Sequence, residues 1–129
     1  MIVHIVMWKL KTQPSVAAPD PTSTFTDATA TSVIQATQEQ IDEYQNKAKQ
    51  EISTALSKVP GPLVPMQFGP PQLPERAKGY NFALYSKFKD RDALRAYDIS
   101  EAHKTTVANH VKPHTDDVMA YDFELPDDA

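Results

Sequence analysis

The sequence contains no cysteine and only three glycines. Without cysteine the chain has no disulfide bond, no thiolate metal site and no cysteine nucleophile. Gly61 and Gly69 lie in proline-rich turns, so we expect no glycine-rich phosphate loop. The apolar run over residues 2–8 is far shorter than a membrane-spanning helix, and its lysines follow it, the reverse of the order in a secretory signal. These absences predict a cytoplasmic protein that neither spans nor binds a membrane.

Positive charge is also scarce, because 13 Lys and Arg face 17 Asp and Glu, for a net charge of −4. This balance argues against a nucleic-acid partner, which would need a basic face, and against binding to anionic lipid. The length of 129 residues and the 40% hydrophobic content fit one globular domain over residues 1–129. We expect an irregular insertion at about residues 12–37, where three prolines occur without any Lys, Arg or Glu. The insertion either shields something or is tolerated decoration.

Local patterns predict four strands and three helices. A capping box at Thr37 and Gln40 begins a helix that runs to about Lys58, while Asp90 and Ser100 begin two shorter helices. Strands are predicted over residues 2–11, 63–68, 80–88 and 118–125. The order β-α-β-β-α-β is the ferredoxin-like α+β fold with an antiparallel sheet.

The predicted strands carry apolar residues on both faces, although helices cover only one face of such a sheet. In the last strand, for example, Met119, Tyr121 and Phe123 alternate with Val118 and Ala120. A second copy that packs its own sheet against the uncovered face would bury these residues. We therefore expect a homodimer through the sheet face, a dimeric α/β barrel, rather than a monomer.

Tyr97, His103 and His4 are the candidate catalytic residues. Helical spacing places Tyr97 and His103 on the sides of their short helices that dock on the sheet, and His4 replaces an apolar residue in mid-strand. An imidazole and a phenol facing one space are the minimum for general acid–base chemistry at neutral pH. The alternative is a core histidine held by a backbone carbonyl, with tyrosine as a packing residue.

Four segments resemble the stress-responsive A/B barrel (Dabb) family: residues 1–6 (MIVHIV), 78–82 (KGYNF), 97–103 (YDISEAH) and 118–123 (VMAYDF). The segments are short, but their order and spacing agree, and the resemblance extends over nearly the whole chain apart from the insertion. A plant polyketide cyclase of that family closes a linear β-polyketone by aldol condensation without a cofactor. Its catalytic tyrosine precedes its catalytic histidine by six positions, as Tyr97 precedes His103, and it has a pocket histidine that matches His4.

The resemblance implies a small-molecule pocket that needs no cofactor. Phe82 stands where the cyclase has another pocket histidine, so the chain departs from the family pattern there. We expect the substrate-binding residues to be Phe82, Trp8, Val107 and Tyr80. His103 would remove a proton from carbon, Tyr97 would stabilise the enolate oxygen, and His4 would hold a second oxygen or relay the proton.

Two functions from different classes remain open. One is a cyclase or lyase acting on a β-keto, polyketide-like compound, and the other is a non-catalytic stress-response protein that acts as a stable oligomer or ligand binder. A metal site is not expected, because Pro113 interrupts the helix between His110 and His114 and separates their faces.

Overall fold

The computed structural model describes residues 1–12 and 37–126. Its sheet contains β1 (Ile2–Leu10), β2 (Gln67–Gly69), β3 (Phe82–Phe88) and β4 (Thr115–Glu124) in the order β2-β3-β1-β4, and all pairings are antiparallel. The helices are α1 (Gln38–Ser57), α2 (Arg91–Ile99) and α3 (Glu101–Thr106). The predicted ferredoxin-like α+β fold is confirmed. Almost all of the predicted insertion lies outside the described residues.

Helix α1 begins as its sequence predicts. The Thr37 hydroxyl accepts a hydrogen bond from the Gln40 backbone N–H, and the Gln40 side chain accepts one from the Thr37 N–H, which completes the capping box. Ala48, Ile52 and Leu56 lie on the buried face of the helix. Leu56 and Ile52 join a core that includes Trp8, Leu10, Phe82, Leu84 and Val111. This core fixes α1 over one face of the sheet.

Strand β1 lies at the centre of the sheet and sets which side chains face the helices. Its even-numbered residues point to the helix-covered face, as do the even-numbered residues of β3 and β4 that pair with them. In this register His4 lies between Ser86 on β3 and Asp122 on β4. A polar row therefore crosses three strands on the covered face.

Three predicted boundaries are corrected by the structure. Strand β2 covers only Gln67–Gly69 instead of residues 63–68, because Pro65 has no N–H to donate to the sheet. Strand β3 begins at Phe82, since the Tyr80 N–H is used in a turn to the Ala77 carbonyl. Strand β4 begins at Thr115 rather than residue 118.

The chain after α3 does not continue as one helix to Pro113. It forms a π-helical turn over Val107–Val111 and then a 3-10 turn over Lys112–His114. The π-helical turn packs against α1 and carries the buried Val111 into the core. It forms one wall of the site described below.

The second face of the sheet has no helix against it in the described part of the chain. Three large side chains of β4 are exposed there: Tyr121 is 62% exposed, and Met119 and Phe123 are each 40% exposed. The alternation predicted for the last strand is thus correct, and its outer row is uncovered. Of the helices in the described ranges, none has the length and apolar character needed to cross a membrane.

Candidate functional site

A cavity of about 160 Å³ lies between the covered face of the sheet and the helical segment over residues 97–111. Its polar lining consists of His4, Tyr97, Asp98 and His103. Its apolar lining includes Trp8, Leu56, Leu84, Val107 and Val111. Val118 and Ala120 of β4 border it at the exposed edge of the sheet. The cavity is therefore polar along one side and hydrophobic over the rest.

Ser100 is the joint that brings Tyr97 and His103 together. It is both the C-cap of α2 and the N-cap of α3, with extended backbone angles that interrupt the helix. Its hydroxyl donates to the Tyr97 carbonyl at 2.8 Å and accepts from the His103 N–H at 3.1 Å. On an unbroken helix, six residues at about 100° each would leave the two side chains about 120° apart. The interruption lets their rings meet at a centroid distance of 4.6 Å.

Tyr97 is only 3% exposed and packs against Phe88, with ring centroids 4.9 Å apart. Its hydroxyl has no hydrogen-bond partner. Burial raises the pKa of Tyr97 to about 12, and Asp98 contributes to the rise. The phenol is therefore protonated at neutral pH. A buried donor without a partner is destabilising, so a ligand oxygen in the cavity would satisfy it.

The turn at Gly61 packs closely against the side chain of Tyr97. Gly61 has a φ of +135°, a conformation that residues with a side chain rarely adopt. A Cβ atom at this position would lie 3.1 Å from Cδ2 and 3.2 Å from Cβ of Tyr97. The prolines on either side stiffen the turn, so the ring has little room to move away from the cavity.

His103 has the tautomer of a general base. Its Nδ1 lies 3.0 Å from the Asp98 backbone carbonyl, to which it donates, so the neutral ring keeps the lone pair of Nε2. Burial lowers the pKa of His103, and the Asp98 carbonyl partly opposes this effect. The ring is therefore neutral at neutral pH. The same bond is the one that the alternative interpretation predicted, a core histidine held by a backbone carbonyl.

His4 is buried and its Nδ1 donates to the carboxylate of Asp122. Its ring lies 6.2 Å from the ring of Tyr97, centroid to centroid. The carboxylate fixes the orientation of the imidazole and leaves its second nitrogen as an acceptor. The role of Asp122 was not predicted from the sequence. The signal was its position two residues after Ala120, on the same face of β4 as the apolar residues that line the cavity.

The structure brings five of the seven predicted site residues to the cavity: His4, Trp8, Tyr97, His103 and Val107. Phe82 and Tyr80 are not among its lining residues. Phe82 instead stacks between Trp8 and Phe68 in the core, with a centroid distance of 5.8 Å to each. Tyr80 donates to Asp117 at 3.1 Å near the surface. The rings of both residues contact protein rather than this cavity, and their role in substrate binding stays a prediction.

His110 and His114 do converge, contrary to the expectation from Pro113. His110 Nδ1 and His114 Nε2 each lie 3.2 Å from the same Glu51 oxygen, and His114 Nδ1 lies 2.7 Å from the Tyr44 hydroxyl. The π-helical turn followed by the 3-10 turn allows this contact. Across the described residues, no group of three His, Asp or Glu side chains is arranged to hold a metal ion. The cluster ties α1 to the wall of the cavity.

Comparison with known proteins identifies the family of the chain. The profile of the Stress Responsive A/B Barrel Domain (Dabb) family matches residues 2–125. No curated protein matches at a significant level. A Dabb family protein with a ferredoxin-like fold from Mesorhizobium loti is similar in structure, with a TM-score of 0.63, 16% identity and coverage of 97% of this chain and 96% of that one.

Two further solved structures have the same fold. A dimeric ferredoxin-like protein of unknown function from Thermobifida fusca has a TM-score of 0.55 and 20% identity, with 96% of this chain and 90% of that one covered. A hydroxynitrile lyase from Passiflora edulis has a TM-score of 0.58 and 15% identity, with 98% of this chain and 94% of that one covered. At these identities the likeness establishes the fold.

Proposed function

This chain belongs to the stress-responsive A/B barrel (Dabb) family, and we propose that it binds a small carbonyl compound and catalyses cofactor-independent acid–base chemistry on it. The observation that carries the proposal is Tyr97, a residue that lines the cavity beside His103 and whose buried hydroxyl has no hydrogen-bond partner. A protonated donor and a neutral base then face one ligand-sized space. The reaction is that of a lyase or a cyclase on a β-keto compound.

Each group has a defined step. His103 Nε2 removes a proton from the carbon between two carbonyl groups, and the electron pair of that C–H bond passes into an enolate. The Tyr97 hydroxyl donates a hydrogen bond to the enolate oxygen, where charge develops. His4, held by Asp122, accepts or relays a proton at a second oxygen. The proton on His103 then returns to the carbon or to the oxygen formed when the enolate adds to a carbonyl.

The likeness to known structures supports lyase chemistry as a candidate. The Passiflora edulis protein is a hydroxynitrile lyase built on this fold. The roles of individual residues in this chain are argued from its own cavity. The proposal therefore rests on Tyr97, His103 and His4 and needs no metal or organic cofactor for the steps given.

The test follows deuterium exchange at the central carbon of pentane-2,4-dione by NMR in deuterated water. We expect the protein to accelerate exchange above the buffer rate and His103→Gln to remove at least about 100-fold of the acceleration, since general base catalysis contributes that much. His110→Gln, which changes an exposed imidazole that does not line the cavity, is the matched control and should retain the wild-type rate. Equal rates for wild type and His103→Gln would reject the proposal.

The second candidate is a non-catalytic ligand binder or stable oligomer in a stress response. It is favoured by the bond from His103 Nδ1 to the Asp98 carbonyl, which satisfies the ring without any reaction. Binding of diones without any accelerated exchange would select this function. The lack of cysteine and the net charge of −4 support the cytoplasmic location that we propose for either function.

We also propose that the uncovered face of the sheet packs against a second copy of the chain. Support comes from the exposed row Met119, Tyr121 and Phe123, and from structural neighbours described as dimeric. An apolar row of this kind on a lone protein would be costly to leave in water. Sedimentation velocity tests the proposal: Tyr121→Glu with Phe123→Glu should convert a dimer to a folded monomer, and a monomeric wild type would reject it.

A further inference from the structure

The cavity divides into two chemically different ends. Tyr97, His103 and His4 form the polar end, whereas Trp8, Leu84 and Val111 form part of the apolar end. Of its lining residues, Val118, Ala120 and Asp98 are exposed and mark the opening at the edge strand β4. A ligand that places an oxygen at the Tyr97 hydroxyl therefore directs its body toward the apolar end, which includes the indole of Trp8.

The volume of this space limits what can react in it. The cavity holds about 160 Å³. An apolar protein cavity of about 150 Å³ accommodates a molecule the size of benzene. A polyketone that closes to a ring must place all its ring carbons, their oxygens and its tail in the cavity at the same time. Such a chain needs more space than a single benzene-sized body.

Two lining residues restrict the space without being fully buried. Val107 begins the π-helical turn and stands on the wall next to α3, while Ala120 lies on β4 opposite Val6. Val107 is partly buried against the core and Ala120 is exposed. A change of side-chain size at either position alters the cavity and leaves the buried core largely intact.

We infer that the substrate is a compact carbonyl compound whose apolar body has about six to eight carbon atoms. Val107 and Ala120 limit the size of this body. The site moves a proton on the compound rather than closing a long chain into a ring. This inference rests on the proposed function and narrows its substrate class. It makes the reaction a proton transfer at the carbon next to a carbonyl: the C–H bond breaks, His103 holds the proton, and the same carbon regains one.

The experiment uses a series of alkane-2,4-diones whose tail grows by one methylene at a time, with exchange followed by NMR. We expect kcat/KM to rise about fourfold for each methylene that enters the apolar end. The rise should stop when the apolar body of the dione reaches about six to eight carbon atoms. Val107→Ala should move this limit to longer tails, and Ala120→Leu should move it to shorter ones. Ala102→Leu adds the same atoms at an exposed position of α3 that does not line the cavity, and should leave the limit unchanged.

The outcomes separate the two proposals. A steady rise of kcat/KM to long tails, or a limit that neither variant moves, would overturn the inference and leave the proposed acid–base function standing. If no dione exchanges faster than in buffer, the stabilisation of the protein by each dione is measured by thermal unfolding. A tail-length limit that the two variants shift in binding would then support the compact ligand class while the catalytic proposal fails. Binding without such a limit would overturn both.

Discussion

The two faces of the sheet are both apolar, yet they have different surroundings. On the covered face Leu84 is 2% exposed and packs under α1, whereas Tyr121 on the other face is 62% exposed. The covered face also contains a polar row and a cavity. Apolar alternation in a strand therefore predicts that a face becomes buried. Whether a ligand cavity forms on that face depends on the element that packs against it.

The strongest contrast between the faces is in stability. Leu84→Ala should lower the free energy of unfolding by about 2–5 kcal/mol, because it leaves a void in a packed core. Phe123→Ala on the uncovered face should cost less than about 0.5 kcal/mol in dilute protein. Urea unfolding at several protein concentrations measures both. If the faces pair in a dimer, the cost of Phe123→Ala grows with concentration, and a cost that is large at every concentration would contradict the comparison.

Tyr97→Phe separates function from stability on the covered face. Loss of the donor should lower kcat/KM for dione exchange by about 100- to 1000-fold, the usual effect of removing one donor to a developing oxyanion. The same change should leave the unfolding free energy equal or higher by about 1 kcal/mol, because the buried hydroxyl has no partner. A variant that is clearly less stable would show that the hydroxyl is a structural group.

Gly61→Ala tests the support behind the site. We expect a loss of about 1–3 kcal/mol in unfolding free energy, because alanine at a φ of +135° is strained and its Cβ presses on the Tyr97 ring. Gly69→Ala is the matched control, since a Cβ there meets nothing within 4 Å. Dione exchange should fall for Gly61→Ala only. Equal stability losses in the two variants would exclude a role for the turn in holding Tyr97.

The smallest expected effect is the pH dependence that His103 contributes. Burial lowers its pKa in the folded protein below the ordinary value of 6.5, so the unfolded chain binds more protons between the two pKa values. The contribution of His103 to the free energy of unfolding is therefore fully present above about pH 6.5. It is lost as the pH falls through the pKa that His103 has in the folded protein. The free energy of unfolding, measured from pH 5 to pH 8, should depend less on pH in His103→Gln than in wild type. An unchanged pH dependence would show that the His103 ring is solvated in the folded protein as it is in the unfolded chain.

The fold was predictable because its signals are local and agree with one another. The capping box at Thr37, the Asp90 N-cap and the alternation in β1 each act within a few residues, and each is present as expected. The boundary of β2 was not predictable to the residue. A strand of three residues has too few alternating positions to define its own limits, so pairing with β3 decides them.

The site was predictable in part. Tyr97, His103 and His4 were identified from helical spacing and from one polar residue in an apolar strand. Asp122 was missed because its role depends on the register between β1 and β4, which are more than 100 residues apart. Phe82 and Tyr80, which were predicted to bind substrate, do not line the cavity. Alternation gives the face of a strand, but it does not distinguish side chains that meet the core from side chains that meet an empty space.

The interruption of the helix at Ser100 limits which sequence changes can preserve the site during evolution. Tyr97 and His103 meet because one interruption falls between them at a fixed place, with three residues on either side. An insertion or deletion of a single residue in this heptapeptide would rotate one ring by about 100° and disperse the pair. Point substitutions at the rim of the cavity carry no such penalty. Descendants of this chain can therefore alter what they accept by small steps, provided the length of the segment over residues 97–103 stays constant.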